Sequence, residues 1–180
     1  RALTARLLPQ GWQIIGTTRS ADKAEVLRRE GVTPALWPED DLRSALASAT
    51  HLLISAAPDA AGDPVLARYR DAIAEAAPRL AWVGYLSTTG VYGDHATPLT
   101  PSTRRGQMRV DAEADWQAIP GLPLHIFRLA GIYGPGRGPF EKVRQGTARR
   151  IVKPGQVFSR IHVEDIAQVL EASIKHPNPG

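Results

Sequence analysis

A chain of 180 residues with 43% hydrophobic content is long enough to bury a core and too apolar to remain disordered. It carries 22 basic against 18 acidic residues, a net charge of +4, but the basic residues are scattered. The densest groups are Arg104, Arg105 and Arg109, then Arg149, Arg150 and Lys153, and neither is interleaved with aromatics, so nucleic acid is not an expected partner. The absence of cysteine excludes disulfides, thiolate catalysis and Cys-ligated zinc. No metal is expected. No apolar run is long enough for a membrane span, no membrane partner is expected, and a cytoplasmic location is the working assumption.

The elements alternate along the chain. Gln13 to Thr17 reads as a strand after a turn at Gly11. Ser20 caps a helix over Ala21 to Glu30, which Gly31 ends. Val32 to Leu36 is a short strand, Asp41 to Ala49 a helix and His51 to Ser55 a strand. Asp63-Pro64 pairs a cap with a proline in the first helical turn, and Val65, Leu66, Tyr69, Ile73 and Ala76 then trace one apolar face. Leu80 to Leu86 is a strand in a continuous apolar run, followed by a helix over Thr103 to Ala118 and a strand over Leu124 to Leu129. Gly131 to Pro139 reads as a loop, Glu141 to Thr147 as a short helix, and Val157 to Ile161 as a strand. The final helix, Val163 to Lys175, places Ile166, Leu170 and Ile174 on one side. This order predicts an α/β fold, a Rossmann-like doubly wound parallel sheet in one domain over residues 1–180. In such sheets ligands lie at the carboxyl ends of the strands. There the run Tyr85-Leu-Ser-Thr-Thr-Gly-Val-Tyr-Gly93 delivers three hydroxyl side chains, either to a ligand crevice or simply to a turn.

Three stretches in order, "YLSTTGVYGD" (85–94), "FRLAGIYGPGR" (127–137) and "RIHVEDIAQ" (160–168), resemble the extended short-chain dehydrogenase/reductases, the NAD-dependent epimerase/dehydratase family. "THLLISAAP" (50–58) is similar to the family's fourth strand and cofactor loop, and "GTTRS" points to an atypical branch. The resemblance covers almost the whole chain. It implies a nicotinamide dinucleotide across the strand ends. It also implies that the family's first strand and glycine-rich phosphate turn lie upstream of Arg1, and that its C-terminal substrate region lies beyond Gly180.

On that resemblance, Thr18, Arg19 and Ser20 end the strand that meets the adenosine ribose. Arg19 can fork two N–H donors onto a 2′-phosphate, so NADP is expected, with NAD as the alternative. Asp41 stands beside the adenine position, or else caps a helix. Ser55, Ala56 and Ala57 match the loop along the cofactor, where small side chains let the backbone approach. Gly131 stands where the family often has Asn, beside nicotinamide and substrate.

The family's catalytic groups are a Ser or Thr and a Tyr-x-x-x-Lys. Thr88 matches the first. The second reads Arg105-x-x-x-Arg109, eight and four residues before Glu113. Arginine stays protonated, so Arg105 is no general base. Arg109 keeps the lysine's charge and can hold ribose hydroxyls, or pair with Glu113 at the surface. Alternatively, the two arginines select an anionic substrate. "DHAT" is shorter than the family's acid-containing segment, which implies residues lacking between His95 and Ala96. Tyr92, His95 and Tyr133 are the remaining proton-donor candidates. Arg137 and Arg160 are either solvated or meet an anionic substrate. Two functions stay open: a reductase or epimerase of a polar metabolite with an atypical active site, and a non-catalytic NADP-binding sensor or scaffold. The expected partner is a small molecule, with a homodimer as one assembly to test.

Overall fold

The computed structural model of the protein describes residues 1–93, 99–150, 152 and 158–180. The strands are β1 (Ile15–Thr18), β2 (Thr33–Leu36), β3 (His51–Ile54), β4 (Trp82–Thr88), β5 (Leu124–Leu129), β6 (Gly131–Tyr133) and β7 (Arg160–His162). The helices are α1 (Ala2–Leu7), α2 (Ala21–Arg29), α3 (Arg43–Ser48), α4 (Leu66–Ala76), α5 (Arg104–Gln117), α6 (Pro139–Arg144) and α7 (Val163–Lys175). Every ladder among the described residues is parallel: β1 with β2, β3–β4–β5 in that order, and β6 with β7. Helices α2, α4 and α5 make the crossovers within the first two ladders, which is the Rossmann-like α/β architecture.

Strand β4 divides the core. Val83 and Tyr85 point to one face, where they join Ile54, Tyr69, Ile73 and Trp116 from β3, α4 and α5. Trp82 and Leu86 point to the other, against Leu7 of α1 and Ile166, Leu170 and Ile174 of α7. Burying a side chain such as Ile73 or Val83, both fully shielded, contributes about 1.5–3 kcal/mol each. The Trp82 indole lies across Gly84, where any side chain would collide with it, and its Nε1 donates to Ser173 Oγ on α7 at 2.9 Å. Helix α1 is clamped to α7 through Glu171, whose carboxylate meets Arg6 at 2.5 Å, Gln10 at 2.9 Å and Lys175 at 2.6 Å.

Caps follow the sequence closely. Ser20 Oγ accepts from the Lys23 N–H at 3.4 Å, and Thr103 Oγ1 from Gly106 at 3.0 Å. Asp63, 3% exposed, accepts from the Val65 and Leu66 N–H groups at 2.8 and 3.1 Å. Its other oxygen takes Trp116 Nε1 at 3.1 Å.

Four element readings are corrected. Gly131 to Tyr133 is a strand, not loop, because Ile132 pairs with Ile161 and packs into the α7-side cluster; the surrounding glycines hid so short a strand. The following helix starts at Pro139, a residue suited to the first turn, and ends before Gly146. Helix α3 begins at Arg43, so Asp41 lies outside it and is not its N-cap residue. The last strand is Arg160–His162, and residue 157 lies outside the described residues.

Candidate functional site

At the carboxyl end of β4 the three hydroxyls take three different roles. Ser87 is buried, 6% exposed, and its Oγ has no hydrogen-bond partner among the described residues. Thr88 Oγ1 accepts the Gly90 N–H at 3.2 Å and caps the 3-10 turn Thr89–Tyr92. An accepted bond uses a lone pair, so the Thr88 hydroxyl keeps its own proton to donate. Thr89 is exposed.

Burial rises along the α5 face that carries Arg105, Arg109 and Glu113. Arg105 is exposed and makes no hydrogen bond or ion pair among the described residues. Arg109 is half-buried. Its Nη1 donates to the Leu86 carbonyl at 2.9 Å and to Tyr85 Oη at 3.2 Å, with the guanidinium 5.8 Å from the Tyr85 ring centre. Tyr85 is fully buried, which pushes its phenol pKa up against the opposing pull of Arg109, so the hydroxyl stays protonated.

Glu113 does not pair with Arg109 at the surface. It is 2% exposed and faces the sheet, where β5 delivers Arg128 to it. Arg128 Nη2 donates to Glu113 Oε2 at 2.8 Å and Nε to the same oxygen at 3.2 Å. Arg128 Nη1 donates to Tyr92 Oη at 2.8 Å, with the guanidinium 5.3 Å from that ring's centre. The hydrogen bond to Glu113, first among the causes, raises the Arg128 pKa and keeps it cationic. Tyr92 is thus tied into a polar network under the strand ends. His95 lies outside the described residues.

On the β1 side, Thr18 Oγ1 accepts the Ser20 N–H at 3.3 Å. Arg19 is exposed and unpartnered among the described residues. Beside it, Thr17, Thr18, Lys23, Leu27 and Arg1 line an open recess of about 350 Å³. Sequence reading overlooked Lys23 there, in the first turn of α2. Asp41 accepts the Arg43 N–H at 3.1 Å and its Nη1 at 3.0 Å. The backbone bond, foremost, lowers the Asp41 pKa. After β3, Ser55 and Ala57 are exposed and Ala56 half-buried. Arg19 and Lys23 have no carboxylate partner among the described residues.

Past β5, Gly131 lies beneath Arg160: a Cβ there would stand 3.1 Å from Arg160 Nη1. Tyr133, 38% exposed, meets the His162 ring edge-on, centres 5.0 Å apart. The candidate residues therefore fall into three groups at the strand ends: Thr18–Arg19–Ser20 after β1, Ser55–Ala57 after β3, and Thr88 with Arg109 after β4.

No family model matches the chain. It is similar to Protein YeeZ of Escherichia coli K12, with 30% identity over 198 aligned residues that cover 99% of this chain and 70% of that protein. The solved structure of a functionally unknown conserved protein from Silicibacter pomeroyi superposes with a TM-score of 0.92 at 61% identity, covering 99% of this chain and 65% of that one. A Methylobacillus flagellatus structure, described as an NAD-dependent epimerase/dehydratase, superposes at 0.70 with 27% identity over 99% and 68% of the two chains. The chain thus spans about two thirds of the length of these relatives. With the parallel architecture and the three motif stretches in place, the chain belongs to the short-chain dehydrogenase/reductases of the NAD-dependent epimerase/dehydratase family.

Proposed function

We propose that residues 1–180 form a dinucleotide-binding domain that takes NADP(H) at its strand ends. In this reading it serves a reductase or epimerase acting on a polar, anionic small molecule. The observation that carries the reading is the Thr88 hydroxyl at the end of β4. It accepts one backbone N–H and keeps its proton for a substrate oxygen. The dinucleotide, when bound, gives or takes the hydride. Arg109 has Nε and Nη2 without hydrogen bonds among the described residues, so they are available to ribose hydroxyls. Arg19, with Lys23 nearby, meets the 2′-phosphate. Arg105 holds charge and moves no proton.

A second reading, a dinucleotide-binding sensor or scaffold without turnover, is favoured by Arg105, because the family's proton-transfer position holds a side chain that cannot deprotonate. Titrating the protein with NADPH and NADH, then following nicotinamide absorbance against a panel of phosphorylated and carboxylated carbonyl compounds, separates the two. Binding with turnover that falls in Thr88→Ala supports the first; binding without any turnover supports the second. No binding of either nucleotide rejects both. Arg19→Glu should reverse the preference from NADPH toward NADH. The reading also takes the cytoplasm as compartment and a homodimer as assembly, the latter decided by sedimentation equilibrium.

A further inference from the structure

We propose that His125 is a proton-sensitive latch. While its ring is neutral it holds the segment after α7, residues 176–180, against β5, and it releases that segment on taking a second proton. The inference is independent of the dinucleotide reading, because the latch sits at the amino end of β5, away from the carboxyl strand ends.

The run "HPNPG" (176–180) prepares the segment. Pro177 and Pro179 carry no N–H, and each favours an extended backbone in the residue before it. Backbone donors are left at His176, Asn178 and Gly180. The His176 N–H returns to the Ala172 carbonyl of α7 at 2.9 Å. The other two reach β5: Gly180 donates to the Leu124 carbonyl at 3.1 Å, and Asn178 to His125 Nε2 at 3.0 Å.

The tautomer of His125 follows from its partners. Nδ1 lies 3.0 Å from the Pro123 carbonyl and 3.3 Å from that of Val83. Carbonyl oxygens only accept, so the ring's single proton is on Nδ1 and Nε2 is a bare acceptor. A second proton would set N–H against N–H and turn the Asn178 bond into a repulsion. The ring is 6% exposed and stacked on the Trp82 indole, centres 5.7 Å apart, which is itself tied to Ser173 of α7. Residues 176–180 are exposed, so the segment is the part that yields.

The surroundings offer the added charge no partner. No carboxylate pairs with His125 among the described residues. Strand β4 and the turn before β5 present the Trp82 ring and two carbonyls. Helix α7 brings Ser173, with the Glu171–Lys175 pair on the same helix. Bonds from Lys175, Gln10 and Arg6 lower the Glu171 pKa to about 2, so it keeps its charge in mild acid. Strand β3 brings His51, in register with Trp82, whose pKa burial lowers. Its Nδ1 meets the Thr50 hydroxyl, which can donate or accept and so adapts to either ring state. The segment itself carries His176, which is exposed. Of these three histidines, His125 is the one whose protonation contradicts a backbone bond.

The test is ¹⁵N relaxation at about pH 8 and about pH 5, the span over which histidine changes charge. Order parameters of the Asn178 and Gly180 amides should fall from about 0.85 to below about 0.6 on acidification. His125→Phe keeps a ring against Trp82 and removes the acceptor, so both amides should be mobile at either pH. Asn178→Pro deletes the donor without touching the core and should leave Gly180 mobile at either pH; it decides the matter if His125→Phe does not fold. His51→Phe and His176→Gln should keep the wild-type response. Wild-type amides that stay rigid in acid, or a segment still rigid in neutral Asn178→Pro or His125→Phe, would overturn the latch. Loss of the response in His51→Phe or His176→Gln would overturn it too, by assigning the switch to another ring.

Discussion

Arg128 on β5 and Arg160 on β7 are the same side chain on strands that nearly follow one another, and they live in opposite electrical circumstances. Arg128 is saturated: Glu113 takes two of its nitrogens and Tyr92 a third. Arg160 is exposed and has no carboxylate partner among the described residues. The difference teaches how to tell scaffold from site in this molecule. A cation whose charge is already met by a buried carboxylate holds elements together. A cation placed by a glycine and left unmatched has charge to offer a ligand.

The sharpest way to break this comparison is Glu113→Ala. It strands the half-buried Arg128 guanidinium and should cost about 3–5 kcal/mol in urea unfolding. A cost below about 1 kcal/mol would show the pair to be as dispensable as a surface bridge.

Acid probes a second matched carboxylate. Hydrogen bonds from Lys175, then Gln10, then Arg6 lower the Glu171 pKa from 4.5 to about 2. A carboxylate with a depressed folded pKa gives stability that is whole above its unfolded value. That stability is lost as pH falls through the folded one. Melting temperature should therefore drop between pH 4.5 and about 2, and Glu171→Gln should flatten that drop. An unchanged profile in the variant would remove the clamp from the account.

Tyr85→Phe takes one acceptor from Arg109 and should cost about 0.5–1.5 kcal/mol. It should also quicken solvent exchange of the Arg109 guanidinium protons, which a purely structural tyrosine would not do. The smallest effect belongs to Arg160→Gln, within about 0.5 kcal/mol of wild type by thermal melting. A large loss there would make Arg160 scaffold as well and erase the contrast with Arg128.

Much of the fold was legible because local chemistry marked it. Ser20 capped the helix it was expected to cap, and the Leu124–Leu129 strand and the Val163–Lys175 helix have the bounds that their patterns predicted. Tyr69, Ile73 and Ala76 are buried as their helical spacing requires. The Gly131–Tyr133 strand was not legible, since three residues are too few for a period and its partner lies almost thirty positions away. At the site, spacing placed Arg105, Arg109 and Glu113 on one face but said nothing of depth. Helical period gives direction around an axis, whereas the burial of each position depends on what packs against it. Tyr85 read as one more apolar strand residue, and its bond to Arg109 came into view only with α5 laid on β4.

The amino-acid order alone determined the alternation of strands and helices, the Ser20 cap and the Arg105-x-x-x-Arg109 spacing, because each is written in neighbours along the chain. Only the tertiary structure decided which charges are spent. Glu113 belongs to Arg128 and Glu171 to the α1–α7 clamp, while Arg19, Arg137 and Arg160 keep theirs. Charge pairing acts through space over a few ångströms, between residues that sequence holds far apart, so it is fixed only when the elements pack.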